Sequence, residues 1–386
     1  MKLLRYPIFL LISIGILGEL LTRLFMPIAL QKQNEVATTD HPYLRCDWIP
    51  NSKTTYNVDG IGGQKGPVSF QINPFGFRSS SMKTAQKPAG TTRIFFLGGS
   101  TTECVILPEE KTFPYLVEKK LSEAFPNKHF ECINSGMSGT LAADMLATLI
   151  YKVMYYEPDI IFYMQAVNDL RYGAFPSYDP VNRPDYRRKS GHSNLSEEAK
   201  ELLRKILKQS RFLTLIKWRI INRFFPPESE RLKTKMDEYN ESRKLRRDTP
   251  FTEVSESKSL EDYVKYLKEM IYICKGHNIR LILMTEPFIY QKETPGEIDK
   301  NLWMGYFPKH GINLSNKFLS DEMNRFNGAV RQLAKEYNVE LIDLEKEIPK
   351  NLTYFYDDVH FTPQGTYLVA KIIGNYLTEH LDNSSG

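Results

Sequence analysis

In five short stretches of the chain, residues 93–97, 130–134, 159–164, 279–285 and 339–343, the apolar residues run nearly continuously rather than at every second position. A strand half exposed to water alternates, whereas one covered on both faces does not, so these five predict buried parallel strands. Between them the apolar residues space out to helical intervals at about 112–125, 140–155, 259–276 and 320–337, and a last such segment covers about 363–381. Strands and helices in alternation predict an α/β protein, a doubly wound three-layer α/β/α sandwich on a five-stranded parallel sheet. Residues 91–382 carry this pattern. Residues 31–90 are polar and punctuated by Gly and Pro, and read as a tether and N-terminal extension laid across the domain, with a turn-like NPFGFRS at 73–79.

Two segments break the pattern. At the N-terminus Lys2 and Arg5 precede an uncharged run, 6–18, then Glu19 and Arg23 follow at i,i+4 spacing and apolar residues continue to Leu30. The uncharged run has the length of a signal-peptide core rather than a membrane span, yet no small-x-small cleavage site follows it. A helix over 6–30 is long enough to cross a bilayer. The favoured expectation is an uncleaved signal anchor or transmembrane helix over residues 1–30, with the α/β domain extracytoplasmic or periplasmic. A cleaved signal and a buried or interfacial helix are the alternatives. The second segment, residues 171–258, holds 21 Lys/Arg against 13 Asp/Glu, a net of +8, and contains an amphipathic stretch at 197–225. It reads as a helical insertion: a solvated excursion, a cap over a cleft, or a surface for anionic lipid or polymer.

With 386 residues, 41% of them hydrophobic, the chain can bury the core of one large α/β domain. A formal net charge of +5, with basic and acidic residues interleaved over most of the length, makes no case for nucleic acid. Cys46, Cys104, Cys132 and Cys274 have no CxxC spacing and no neighbouring His pattern, so no metal site is expected. The 22 Tyr and 22 Phe suit a carbohydrate-facing cleft and ordinary packing alike. Tyr172, Trp303, Tyr306 and Tyr354 are the candidate sugar-stacking positions.

The chemistry concentrates where strands end. RIFFLGGSTT at 93–102 breaks at Gly98-Gly99 and delivers Ser100 where a strand should turn into a helix. Ser100 there is either a nucleophile near helix N-terminal amides or a plain N-cap. Gly136, in NSGMSG after the second strand, lets a backbone N–H approach a substrate oxygen or simply makes a turn. Asn168, in QAVND after the third, offers an amide donor or an Asx-turn. DDVHFTPQG at 357–365 places Asp357 three residues before His360, so the carboxylate can hold one imidazole nitrogen and leave the other for the Ser100 proton. Asp358 is a possible substitute, but the DxxH spacing favours Asp357.

That ordered set, Ser100 in GGS, Gly136, Asn168 in xxND and Asp357-x-x-His360, resembles the SGNH hydrolase superfamily of GDSL-like esterases and lipases. The GGST form, the NxxGFR segment at 73–78 and the apolar N-terminus look like its membrane-anchored bacterial members. The resemblance covers roughly residues 70–175 and 260–380. It implies a flavodoxin-like SGNH fold, with Ser100 as nucleophile, His360 as base and Asp357 as its orienting carboxylate. The amides of Ser100 and Gly136 and the Asn168 side chain would form the oxyanion hole, and no cofactor or metal would be needed. Two positions depart from the family pattern: Gly99 stands where Asp is frequent, and Ala166 where Gly is usual.

The function expected is a serine esterase that removes acyl groups, acetyl first, from an ester-bearing small molecule or an extracytoplasmic polysaccharide. Lipid esters are the competing substrates. An O-acyltransferase acting on surface or exopolysaccharide would use the same triad, and a non-catalytic envelope scaffold is the reading from a different class.

Overall fold

The computed structural model describes residues 13–15, 17–20, 38–180 and 240–381, apart from 40, 42, 46, 59, 242, 308 and 309. Five parallel strands form the central sheet: β1 (Thr91–Gly98), β2 (His129–Asn134), β3 (Ile160–Met164), β4 (Arg280–Met284) and β5 (Glu340–Ile342), side by side in the order β5-β4-β3-β1-β2. Phe96 of β1 sits across from Asn134 of β2 on one side and Phe162 of β3 on the other. Every residue of β3 is buried, which is why its sequence shows no alternation.

Seven helices matter to the site: α1 (Ser100–Glu103), α2 (Phe113–Ala124), α3 (Ala142–Tyr151), α4 (Val167–Gly173), α5 (Leu260–Gly276), α6 (Asn316–Glu336) and α7 (Pro363–Leu381). Helix α7 packs on α2, while α3, α5 and α6 make a second group. The strand order reverses between β1 and β3, so the crossovers leave the sheet toward opposite faces and open a crevice at the strands' C-terminal ends. Helix α6 starts earlier than its apolar spacing indicates, at Asn316, because Ser315 caps it by accepting the Phe318 N–H at 3.1 Å.

The extension is more than a tether. Strands Lys53–Asn57 and Pro67–Gln71 form an antiparallel hairpin, and Val58, Phe70, Ile72 and Phe77 are buried in the core. Both ends of the basic insertion are likewise seated in the body. Ser257 and Ser259 donate their hydroxyls to the carbonyls of Leu170 and Asp169, at 2.9 and 2.6 Å. The Arg246 side chain is buried, 3.2 Å from Asp299. The middle of the insertion, 181–239, lies outside the described residues, as does most of the expected anchor, of which 13–15 and 17–20 are helical. Among the described residues no helix is long and apolar enough to cross a membrane.

Candidate active site

The turn that presents Ser100 is shaped by close approach. A Cβ on Gly98 would lie 2.4 Å from the Met164 carbonyl oxygen, and one on Gly99 would lie 2.7 Å from Gln165 Oε1. Only glycine lets β1 pass so near β3 and still turn into α1. The Gln165 side chain lies in the room that an aspartate at position 99, the residue frequent in the family, would enter. From the extension, the buried Arg78 guanidinium donates to the carbonyls of Glu103, Cys104 and Leu107, the second at 2.7 Å, with its Cζ 4.4 Å above the Phe70 ring. A cation at the carbonyl end of α1 is favourable and fixes the helix that carries Ser100. The GFR segment thus has a mechanical role.

The structure brings Ser100, His360 and Asp357 together. Ser100 Oγ lies 2.7 Å from His360 Nε2, and His360 Nδ1 lies 2.8 and 2.9 Å from the two Asp357 oxygens. Asp357 Oδ1 also accepts the backbone N–H of His360 at 3.0 Å and of Val359 at 3.2 Å, and Oδ2 accepts the Trp303 indole N–H at 3.0 Å. Asp358 faces away and accepts from the Tyr290 hydroxyl and the Trp303 N–H, both at 2.9 Å. The choice between the two aspartates falls to Asp357. Tyr356 stacks on the imidazole, with centroids 5.5 Å apart, and its other contacts include Gly62 of the extension.

Electrostatics separates the two adjacent carboxyls. Burial pushes Asp357 up, but His360 and the donors around it prevail and hold it below the usual carboxylate range. Burial and the neighbouring Asp357 charge raise Asp358. For His360 burial pulls the pKa down, but Asp357, Asp358 and Glu286 outweigh it and the net shift is upward.

Asn168 lies in the first turn of α4 at the same edge, and its Nδ2 donates to the Thr140 carbonyl at 3.0 Å. A side-chain amide has two N–H bonds, so one remains for a substrate oxygen. The Ser100 N–H opens α1, where first-turn amides lack an intrahelical partner. Gly136 behaves otherwise than expected. Its N–H donates to Asn134 Oδ1 at 2.9 Å, and a Cβ there would lie 2.4 Å from the Glu103 nitrogen. It is a packing glycine under α1, with its donor already engaged. Gly139, three residues on, takes φ +71°, and among the described residues its N–H has no hydrogen-bond partner.

Three participants have no local signature in the sequence. Trp303 reaches Asp357 from 54 residues away. Glu286, just beyond β4, is buried and ties the nucleophile turn to α4, accepting from Thr101 Oγ1 at 3.0 Å and the Val167 N–H at 2.8 Å. Glu103 accepts the Ser138 N–H at 2.5 Å, fastening the Gly139 loop to α1. Of the candidate sugar-stacking residues, Tyr172 is buried against Phe175 and Tyr178 and is a packing residue. Trp303, Tyr306 and Tyr354 are half-buried.

A serine, an imidazole and a carboxylate in hydrogen-bonded series, at the crevice of a doubly wound sheet, define a serine hydrolase site. The chain belongs to the GDSL-like lipase/acylhydrolase family, whose model matches residues 96–368. It is an SGNH-type esterase or acylhydrolase. Among solved structures it is similar to the acetyl xylan esterase AlAXEase, at 17% identity over 74% of this chain and 99% of that one, with a TM-score of 0.42. It is also similar to the acetylxylan esterase Axe2 from Geobacillus stearothermophilus, at 16% identity over 75% and 93%, TM-score 0.41. A GDSL-like lipase from Bacteroides thetaiotaomicron is 12% identical over 75% and 88%, TM-score 0.39. No curated protein matches the sequence.

Proposed function

We propose that the protein removes short acyl groups, acetyl first, from an extracytoplasmic carbohydrate through an acyl-Ser100 intermediate. The observation that carries the chemistry is the 2.7 Å contact of Ser100 Oγ with His360 Nε2 while Nδ1 is held by Asp357. Ser100 Oγ attacks the ester carbon as Nε2 takes its proton. The tetrahedral intermediate collapses, the C–O bond to the sugar breaks, and His360 returns the proton to the departing oxygen. Water, activated by the same imidazole, then releases the acid and restores the serine. The oxyanion is held by the Ser100 N–H and Asn168 Nδ2, with Gly139 rather than Gly136 as the third donor. A short acyl group is favoured by a tight floor, where Gln165 packs against Gly99 and Ala166 is fully buried. The extracytoplasmic placement rests on the uncharged run at 6–18 behind Lys2 and Arg5.

The test is acetate release from an acetylated polysaccharide. Asn168→Ala is expected to lower the rate by on the order of 10²–10³, the usual loss on removing one oxyanion donor. Wild-type cleavage of long-chain lipid esters in preference to acetylated glycan would move the protein to the lipase side. Acyl groups found on an added acceptor sugar instead of in water would make it a transferase.

The pH dependence has a defined sign. The base must be neutral to accept the proton, and the His360 pKa is raised from its ordinary 6.5. The acid limb of kcat/KM is therefore expected to lie above pH 6.5, with activity rising as pH rises through it, measured on an aryl acetate.

A further inference from the structure

Helix α4 presents a second polar group toward the neighbourhood of the triad. Arg171 lies three residues after Asn168, and therefore on nearly the same face of the helix. Its guanidinium is held in place from several sides. Nε donates to the Met304 carbonyl at 2.7 Å, and Cζ lies 4.6 Å from the Phe307 ring centroid and 5.7 Å from that of Trp303. Trp303 is the residue whose indole N–H donates to Asp357, so a single side chain separates the guanidinium from the triad carboxylate.

The terminal nitrogens of Arg171 have no hydrogen-bond or ion-pair partner among the described residues, and in this it stands apart from the other described arginines. Arg93, Arg246, Arg280 and Arg331, for example, all place a terminal nitrogen on a carbonyl or a carboxylate. A half-buried guanidinium with a fixed plane and two unengaged N–H-bearing nitrogens is preorganised for bidentate capture of an oxyanion.

We propose that Arg171 is an anion subsite, and that the natural substrate is an acidic glycan whose carboxylate or phosphate docks there while a neighbouring ester reaches Ser100. This rests on the ester chemistry proposed above and adds the charge class of the substrate. The flanking Trp303 and Phe307 rings supply apolar surface for the sugar that bears the charge.

The experiment compares wild type, Arg171→Gln and Arg171→Lys, all as the full chain, on acetylated oligogalacturonate and on a neutral acetylated xylo-oligosaccharide. The ratio of kcat/KM for the acidic over the neutral substrate is expected to fall about 10- to 100-fold in R171Q, the size of a lost hydrogen bond to a charged group, and by less in R171K. Inhibition of aryl acetate cleavage by oligogalacturonate and by glucose 6-phosphate distinguishes a carboxylate from a phosphate ligand. An unchanged ratio in both variants, with aryl acetate still cleaved, overturns the subsite and leaves the esterase reading standing. Should no ester be cleaved at all, calorimetric titration of Ser100→Ala with oligogalacturonate, with and without R171K, still decides: binding weakened by R171K supports the subsite, and equal or absent binding removes it. R171K also serves if R171Q does not fold.

Discussion

Ser100→Ala is expected to lower kcat on a short-chain aryl ester by on the order of 10⁶, the loss that follows removal of a triad nucleophile. The size follows from position rather than from residue type. Gly98 can be nothing larger, because the Met164 carbonyl crowds it, so the strand turns into α1 at one place and sets the hydroxyl relative to His360. Threonines next to it cannot substitute. Thr101 Oγ1 is engaged with Glu286, and Thr102 is fully buried. The change removes a single oxygen from a residue that is only half-buried, so the thermal melt of the variant should superimpose on that of wild type. A folded S100A protein that kept even a hundredth of wild-type turnover would point to a different nucleophile.

Asp357→Asn should cost about 10⁴ in kcat, because an asparagine in that place favours the wrong imidazole tautomer without displacing the ring. Four donors converge on this carboxylate: the imidazole, two backbone N–H groups and the Trp303 indole. An amide offers only one acceptor oxygen to them. The loss of negative charge also removes the main reason that the His360 pKa is raised, so the acid limb of the residual activity should move down in pH. Asp358→Asn is the informative contrast. Asp358 is buried and bonded to Tyr290 and to the backbone of Trp303 and Met304, with no contact to the imidazole, so its replacement should act mainly on stability. Steady-state kinetics and denaturant melts on both variants separate the roles, and equal catalytic losses would contradict the assignment.

How much of this was legible in the sequence differs by element. The five strands were readable because a strand covered on both faces is apolar throughout, and β3 is buried at every position. The start of α6 was not, because its first turn is polar and only the Ser315 cap marks it. Ser100, Asn168, Asp357 and His360 could each be named because each follows a strand end, and all strand ends of a parallel sheet share one edge. The glycines of NSGMSG show the limit of such reasoning. Both Gly136 and Gly139 satisfy the requirement for a bare backbone, and what separates them is Asn134 folding back onto the Gly136 N–H. The bond from Trp303 to Asp357 was out of reach for a related reason. It arises where a loop before α6 meets the Asp357 loop, a pairing with no periodicity to announce it. The extension looked weakly structured because its strands are short, yet Arg78 within it braces the turn that presents Ser100.

Activation of Ser100 by His360 can be read directly from its reactivity. The direct measurement is intact-protein and peptide mass spectrometry after treatment with a fluorophosphonate, on wild type and on His360→Ala. One phosphonyl group is expected on wild type, located on the peptide that contains Ser100, with strongly slowed labelling when the imidazole is absent. Labelling at another residue, or ester turnover that persists while Ser100 stays unmodified, would contradict it.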